Sequence, residues 1–153
     1  MKINELLLFE AAPTKFTGID VVKSILGADK VALRKDDVEP GQYLIQKGPE
    51  PEFTPPVKGK TEAWMDELGI KAADFPGTIT LPNPMSRDAV DVAYAAHEAY
   101  HGWLTVRSPG GIFKNEKIVN QQATKWLKKN LTGLQLHSAL ETILKSKINY
   151  GHN

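Results

Sequence analysis

The chain contains no cysteine. That excludes a disulfide framework, a thiolate nucleophile, an iron–sulfur cluster and every zinc site built on sulfur ligands. Any metal bound here has to be held by His, Asp or Glu. Histidine is scarce too, with four residues in all: His97, His101, His137 and His152. Long apolar runs are also missing. The longest near the N-terminus is Leu6-Leu7-Leu8-Phe9, bracketed by Glu5 and Glu10, well short of a signal-peptide core or a membrane span. The expectation is a soluble cytoplasmic protein with no membrane partner. Nor is either charge in excess overall, since 19 Lys and Arg stand against 18 Asp and Glu. A surface built entirely for nucleic acid or anionic lipid does not fit that balance, so nucleic acid is not the expected partner. The balance does conceal an asymmetry: residues 1–102 carry 11 basic and 16 acidic side chains, and residues 103–153 carry 8 and 2. Solvated helix faces are the ordinary explanation for such lysines as Lys125, Lys128, Lys129, Lys145 and Lys147.

What remains is an ordinary globular composition. A length of 153 residues with 41% hydrophobic content supports one domain. A charged fraction of 24% argues against wholesale disorder. The first part, 1–76, reads as small mixed elements. Residues 3–11 suggest a short helix ended by Pro13. Thr17 is a candidate cap for a helix over Ile19–Leu26, with Gly27 after it. Lys30–Arg34 and Gln42–Gln46 alternate as strands, with turn chemistry at Glu39-Pro40-Gly41. Residues 48–60 hold four prolines and two glycines and read as an irregular strap. Thr61 with Trp64, Met65 and Leu68 suggests a short capped helix ending near Gly69.

The next part is more regular. Gly77–Leu81 is a β-branched strand stopped by Pro82 and Pro84. Ser86 is a candidate cap for a long helix running to about Trp103 or Leu104. A Gly-Pro connection over Arg107–Phe113 leads to a helix that Asn115 caps, continuing to about Lys129. Thr132-Gly133 breaks it, and a last helix covers about Leu134–Lys147. Small mixed elements followed by three helices point to the α+β class, a short sheet packed on one long helix with two more after it.

The chemistry is concentrated in His97-Glu98-Ala99-Tyr100-His101, an H-E-x-x-H inside the long helix. Four residues turn a helix by about 400°, so both imidazoles project from one face, one turn apart. Two ring nitrogens so placed can reach one zinc ion at about 2.0–2.1 Å. Glu98 lies roughly 100° around from His97, beside the ion, where it can take a proton from a zinc-activated water. The pattern fits two ligands and a general base. A third ligand is needed, and the chain beyond His101 holds only two acids, Glu116 and Glu141. Glu116 opens the next helix, after a connection short enough to fold that helix back on the first. Asn120, one turn further on, shares its face and could hydrogen-bond a ligand imidazole from behind. Amide hydrolysis also calls for a donor to the developing oxyanion. His137, Tyr100, Tyr150 and Arg107 are candidates, with His137 assigned that catalytic role. If Thr78–Leu81 is a sheet edge beside the metal, it could bind an extended peptide by strand addition. Thr78, Thr80 and Tyr100 are the expected substrate contacts. Trp103 and Trp126, at helical spacing, read as core.

Thr78–Leu81, then Ser86-Arg87, then Ala96-His97-Glu98-Ala99-Tyr100-His101 resembles the strand-then-helix opening of gluzincin metallopeptidases. Glu116-Lys117-Ile118-Val119-Asn120-Gln121-Gln122-Ala123 is similar to the following helix of the compact ImmA/IrrE-type domains, of the form E-x-x-A-N-x-x-A. Tyr100 stands where those domains usually have Gly, and Val119 replaces a small Ala. The resemblance covers about residues 77–127. It implies a small zincin-like domain whose metal-site core is 77–130, with 131–153 as a C-terminal helix. It also implies a zinc cofactor on His97, His101 and Glu116, Glu98 as the catalytic base, and a peptide or protein substrate. The competing expectation is a non-enzymatic binding protein on the same scaffold.

Overall fold

The computed structural model describes residues 13–56, 61–107 and 115–150, with 146–150 as backbone alone. The helix expected at 3–11 lies outside these residues, as does most of the connection at Arg107–Phe113. The elements are α1 (Gly18–Leu26), β1 (Val31–Ala32), β2 (Tyr43–Lys47), β3 (Glu52–Thr54), α2 (Ala63–Leu68), β4 (Thr78–Leu81), α3 (Ala89–Arg107), α4 (Glu116–Asn130) and α5 (Gly133–Tyr150). The class is α+β, as the order of elements predicted.

Local chemistry accounts for most of the helix starts. Thr17 and Asp20 form a reciprocal capping box at α1, at 3.0 Å in both directions. Asn115 accepts from the Ile118 N–H at 3.2 Å and opens α4. At α3 the cap is Asp88, whose carboxylate accepts from the Val90 N–H at 2.8 Å. Ser86 instead accepts from the Asp88 N–H, tightening the turn before the helix. Glu62, not Thr61, precedes α2, and it makes no side-chain cap.

The four strands run β1-β2-β4-β3, with β1, β2 and β4 parallel and β3 antiparallel to β4. Two expectations are corrected here. The proline-rich strap contains a strand, β3, bracketed by Pro51 and Pro55 in the edge position where proline is tolerated. Because β3 takes one side of β4 and β2 the other, β4 is an interior strand with no free edge. The strand pairing β2 from the other side, β1, is also shorter than the expected Lys30–Arg34, with 2 residues.

The pleat then decides which side chains face the helices. Ile45, Ile79 and Leu81 join α1, α3, α4 and α5 in the main core. Leu44 faces the opposite way, into a smaller cluster with Met65, Ile70 and Phe75. Helix α3 is the centre of the fold, packed by β3, β4, α1, α4 and α5. Ala89, Ala93, Ala95, Ala96 and Ala99 are all buried. Small, strong helix formers let neighbours approach a helix that is enclosed nearly all round. Gly102 extends that logic, since a Cβ there would lie 3.0 Å from the Tyr43 ring and 3.4 Å from that of Phe53. Gly77 is likewise required, at φ +132° and with Phe53 and the Thr54 carbonyl filling the Cβ position. Among the described residues, no helix is long and apolar enough to cross a membrane.

Candidate metal centre

Two helices bring three donors together. His97 and His101 lie one turn apart on α3, and both are buried. Glu116 is the first residue of α4, held there by the Asn115 cap. One Glu116 oxygen lies 2.9 Å from His101 Nε2 and the other 3.0 Å from His97 Nε2. The two Nε2 atoms are 3.2 Å apart, with the rings inclined at 77°. Among the described residues, this is the one group of three or more His, Asp and Glu side chains whose ligand atoms converge, all within 4.8 Å. Four ligands at 2.0–2.1 Å around a tetrahedral ion are about 3.3–3.4 Å apart. The observed separations match that cage within a few tenths of an ångström. His97, His101 and Glu116 therefore form a group that could hold a metal ion, and imidazole with carboxylate suits several divalent metals.

The electrostatics agree with the geometry. Burial alone would raise the Glu116 carboxyl, but hydrogen bonds from His101 and His97, and their charge, hold it at about 2. Glu116 is thus an anion at any ordinary pH. Glu98 sits beside the three donors, with an oxygen 4.0 Å from His97 Nε2 and only 5% of the residue exposed. Its burial raises the carboxyl above its ordinary range. The His97 and His101 charges oppose that shift, while those of Glu116 and Glu52 add to it.

Asn120 lies one turn beyond Glu116 and is buried, as its spacing predicted. The expected bond to an imidazole is not formed. Neither Asn120 Oδ1 nor Nδ2 has a hydrogen-bond partner among the described residues. A buried amide left without a partner costs about 1–3 kcal/mol.

The remaining expectations fare differently. His137 is displaced from its assigned role: its side chain is 69% exposed on α5 and pairs with Glu141 at 3.1 Å. The apolar stripe of α5 faces the core, and His137 falls on the flank of it. Thr78 and Thr80 are also reassigned. They lie on the Leu44 face of the sheet, away from α3, and Thr80 accepts from Gln46 Nε2 at 3.2 Å. Their backbone is committed on both sides, so strand addition cannot occur at β4. Tyr100 packs against the main core and meets Trp103 edge-on at 5.8 Å. Burial also raises its hydroxyl pKa. Trp126 is a core residue whose Nε1 donates to Ser24. Trp103, expected in the core, instead lines a cavity under the Arg107 guanidinium. The Tyr150 side chain lies outside the described residues.

Two residues near the site have no signature in the sequence. The Tyr43 hydroxyl crosses from β2 to donate to the Gly102 carbonyl at 2.7 Å, fixing the turn that carries His101. Glu52 is brought within electrostatic reach of Glu98 by β3, inside the strap expected to be irregular. Both depend on long-range pairing that no local motif encodes. Compared with protein-family models, curated proteins and solved structures, the chain matches none.

Proposed function

We propose that this protein is a zinc-dependent metallopeptidase with Glu98 as its general base. The observation that carries the reading is the convergence of two imidazole nitrogens and a carboxylate on one point, with a second, buried carboxylate alongside. Two His and one Glu is a donor set used by catalytic zinc, which keeps a fourth position open. A zinc ion held there would supply a Lewis acid and lower the pKa of its water to about 7. Glu98 accepts the proton of the attacking water and returns it to the leaving amine nitrogen as the peptide bond breaks. Its burial suits that work, because a carboxyl whose proton affinity is raised by burial is a better proton acceptor than an exposed one. Glu116, anionic throughout, offsets the positive charge brought in at the site. An extended substrate would add at β3, the sheet edge beside α3, since β4 is already paired.

The second reading is a binding protein that holds zinc without turnover. The outward placement of His137 favours it, because that residue is the first candidate for a second donor to the oxyanion. Glu98 separates the two readings, since a site that only holds metal has no use for a second, buried carboxylate. The test is Glu98→Gln against the wild type on a fluorogenic peptide library. Hydrolysis should fall by at least about 10²-fold with bound zinc retained. Cleavage by the variant at the wild-type rate, or none by the wild-type zinc protein, refutes the reading.

A further inference from the structure

A second feature of the molecule lies off the metal centre. A cavity of about 910 Å³ opens where the C-terminal ends of α1 and α3 meet the start of β2. That volume sits in the range of about 300–1,000 Å³ typical of small-molecule sites. Its floor is apolar and buried: Tyr43 and Phe75 are each 4% exposed. Leu26 and Trp103 form apolar walls. Two polar side-chain groups within are already used, the Tyr43 hydroxyl donating to the Gly102 carbonyl and the Thr105 hydroxyl to that of His101. Among the described residues, the charged ones in the lining are exposed: Lys30, Arg107 and Asp74, two cations against one acid. Arg107 has a defined place, its guanidinium lying over the Trp103 ring at 4.2 Å. Stacking through its face leaves the in-plane N–H groups of a guanidinium free for a carboxylate.

We propose that this cavity binds a small amphipathic carboxylate, its apolar body on Tyr43, Phe75 and Trp103 and its anionic head on Arg107 and Lys30. An apolar interior with a cationic mouth fits that shape of molecule. A neutral apolar ligand would leave the mouth unused, and a polar one would leave its own groups unpaired on the floor. The site is independent of the metal reading, and its test needs no zinc and no hydrolysis.

The experiment is a fluorescence titration of the full chain with a dansyl-labelled long-chain fatty acid, set against the methyl ester of the same probe. The acid should bind saturably at one site per chain, and the ester at least tenfold more weakly. Arg107→Gln should weaken the acid several-fold, toward the level of the ester, with Lys30 still in place. Trp103→Ala should weaken both probes, with circular dichroism checking that this variant is folded. If it is not, Arg107→Gln decides alone, because that residue is exposed at a helix end. Absence of saturable binding, equal affinity for acid and ester, or an Arg107→Gln variant that binds the acid like the wild type overturns the proposal.

Discussion

Replacing Tyr43 by Phe deletes a single oxygen, and the structure sets both the size and the pH dependence of the result. The hydroxyl is buried and donates to the Gly102 carbonyl at 2.7 Å. That carbonyl lies inside α3, where the Val106 N–H also faces it, so it is not left bare. The loss is then that of one net hydrogen bond, about 1 kcal/mol. In a domain of this size that is about 2–4 °C in melting temperature. Burial, partly opposed by the Arg107 charge, raises the Tyr43 pKa from 10.0 to about 12. A raised pKa means the neutral hydroxyl is the form folding prefers. Its contribution is complete below pH 10 and is lost as pH rises through 12. By pH 11 the wild type has forfeited about half of that contribution, on the order of 1 kcal/mol, and the whole displacement is on the order of 3 kcal/mol. The variant has nothing to ionise at this position. It should therefore be the less stable protein at pH 8, about equal near pH 11 and the more stable one above it. Urea denaturation of both proteins at pH 8 and pH 11, followed by tryptophan fluorescence, measures the gap directly, since the other titrating groups cancel in the difference. A gap that stays constant between the two pH values refutes the assigned burial. A gap of zero at pH 8 refutes the hydrogen bond.

Two further outcomes follow from the site. With its carboxyl held at about 2 against an ordinary value of 4.5, Glu116 stabilises the metal-free fold above pH 4.5 and loses that contribution as pH falls toward 2. Glu116→Gln should flatten the acid limb of stability against pH, read by thermal melts between pH 5 and pH 2.5, and an unchanged limb counts against the His97–Glu116–His101 contacts. His137→Ala removes an exposed ion pair, so stability should change by less than about 0.5 kcal/mol. Zinc affinity by chelator competition should be unchanged, and a tenfold fall would show that His137 reaches the metal.

How much of this is legible in the sequence depends on the range of the interactions. Thr17 and Asn115 declare their helices because a cap acts within three residues. His97, Glu98 and His101 declare a face because a helix fixes their spacing. Glu116 is reached by elimination, being one of only two acids downstream, and its first-turn position then brings it to both imidazoles. Apart from the helix caps expected at Ser86 and Thr61, which are local, the misreadings are tertiary. β3 hides among prolines that the edge position tolerates. Thr78 and Thr80 fall on the wrong face because the pleat is set by the burial of Ile79 and Leu81 against the helices. His137 sits one residue off the stripe that packs α5. The Gly102–Tyr43 approach joins positions 59 apart in sequence, and no periodicity foretells it.

His97, His101 and Glu116 are proposed to hold one metal ion. Isothermal titration of the metal-free chain with zinc, alongside His97→Ala and Glu116→Ala, tests it most directly. The wild type should bind one zinc per chain, with stability rising by about 2.7 kcal/mol when free zinc is 100 times its dissociation constant. Both variants should lose that binding and that gain. Zinc bound equally by all three proteins, or by none, would show that these side chains do not form the site.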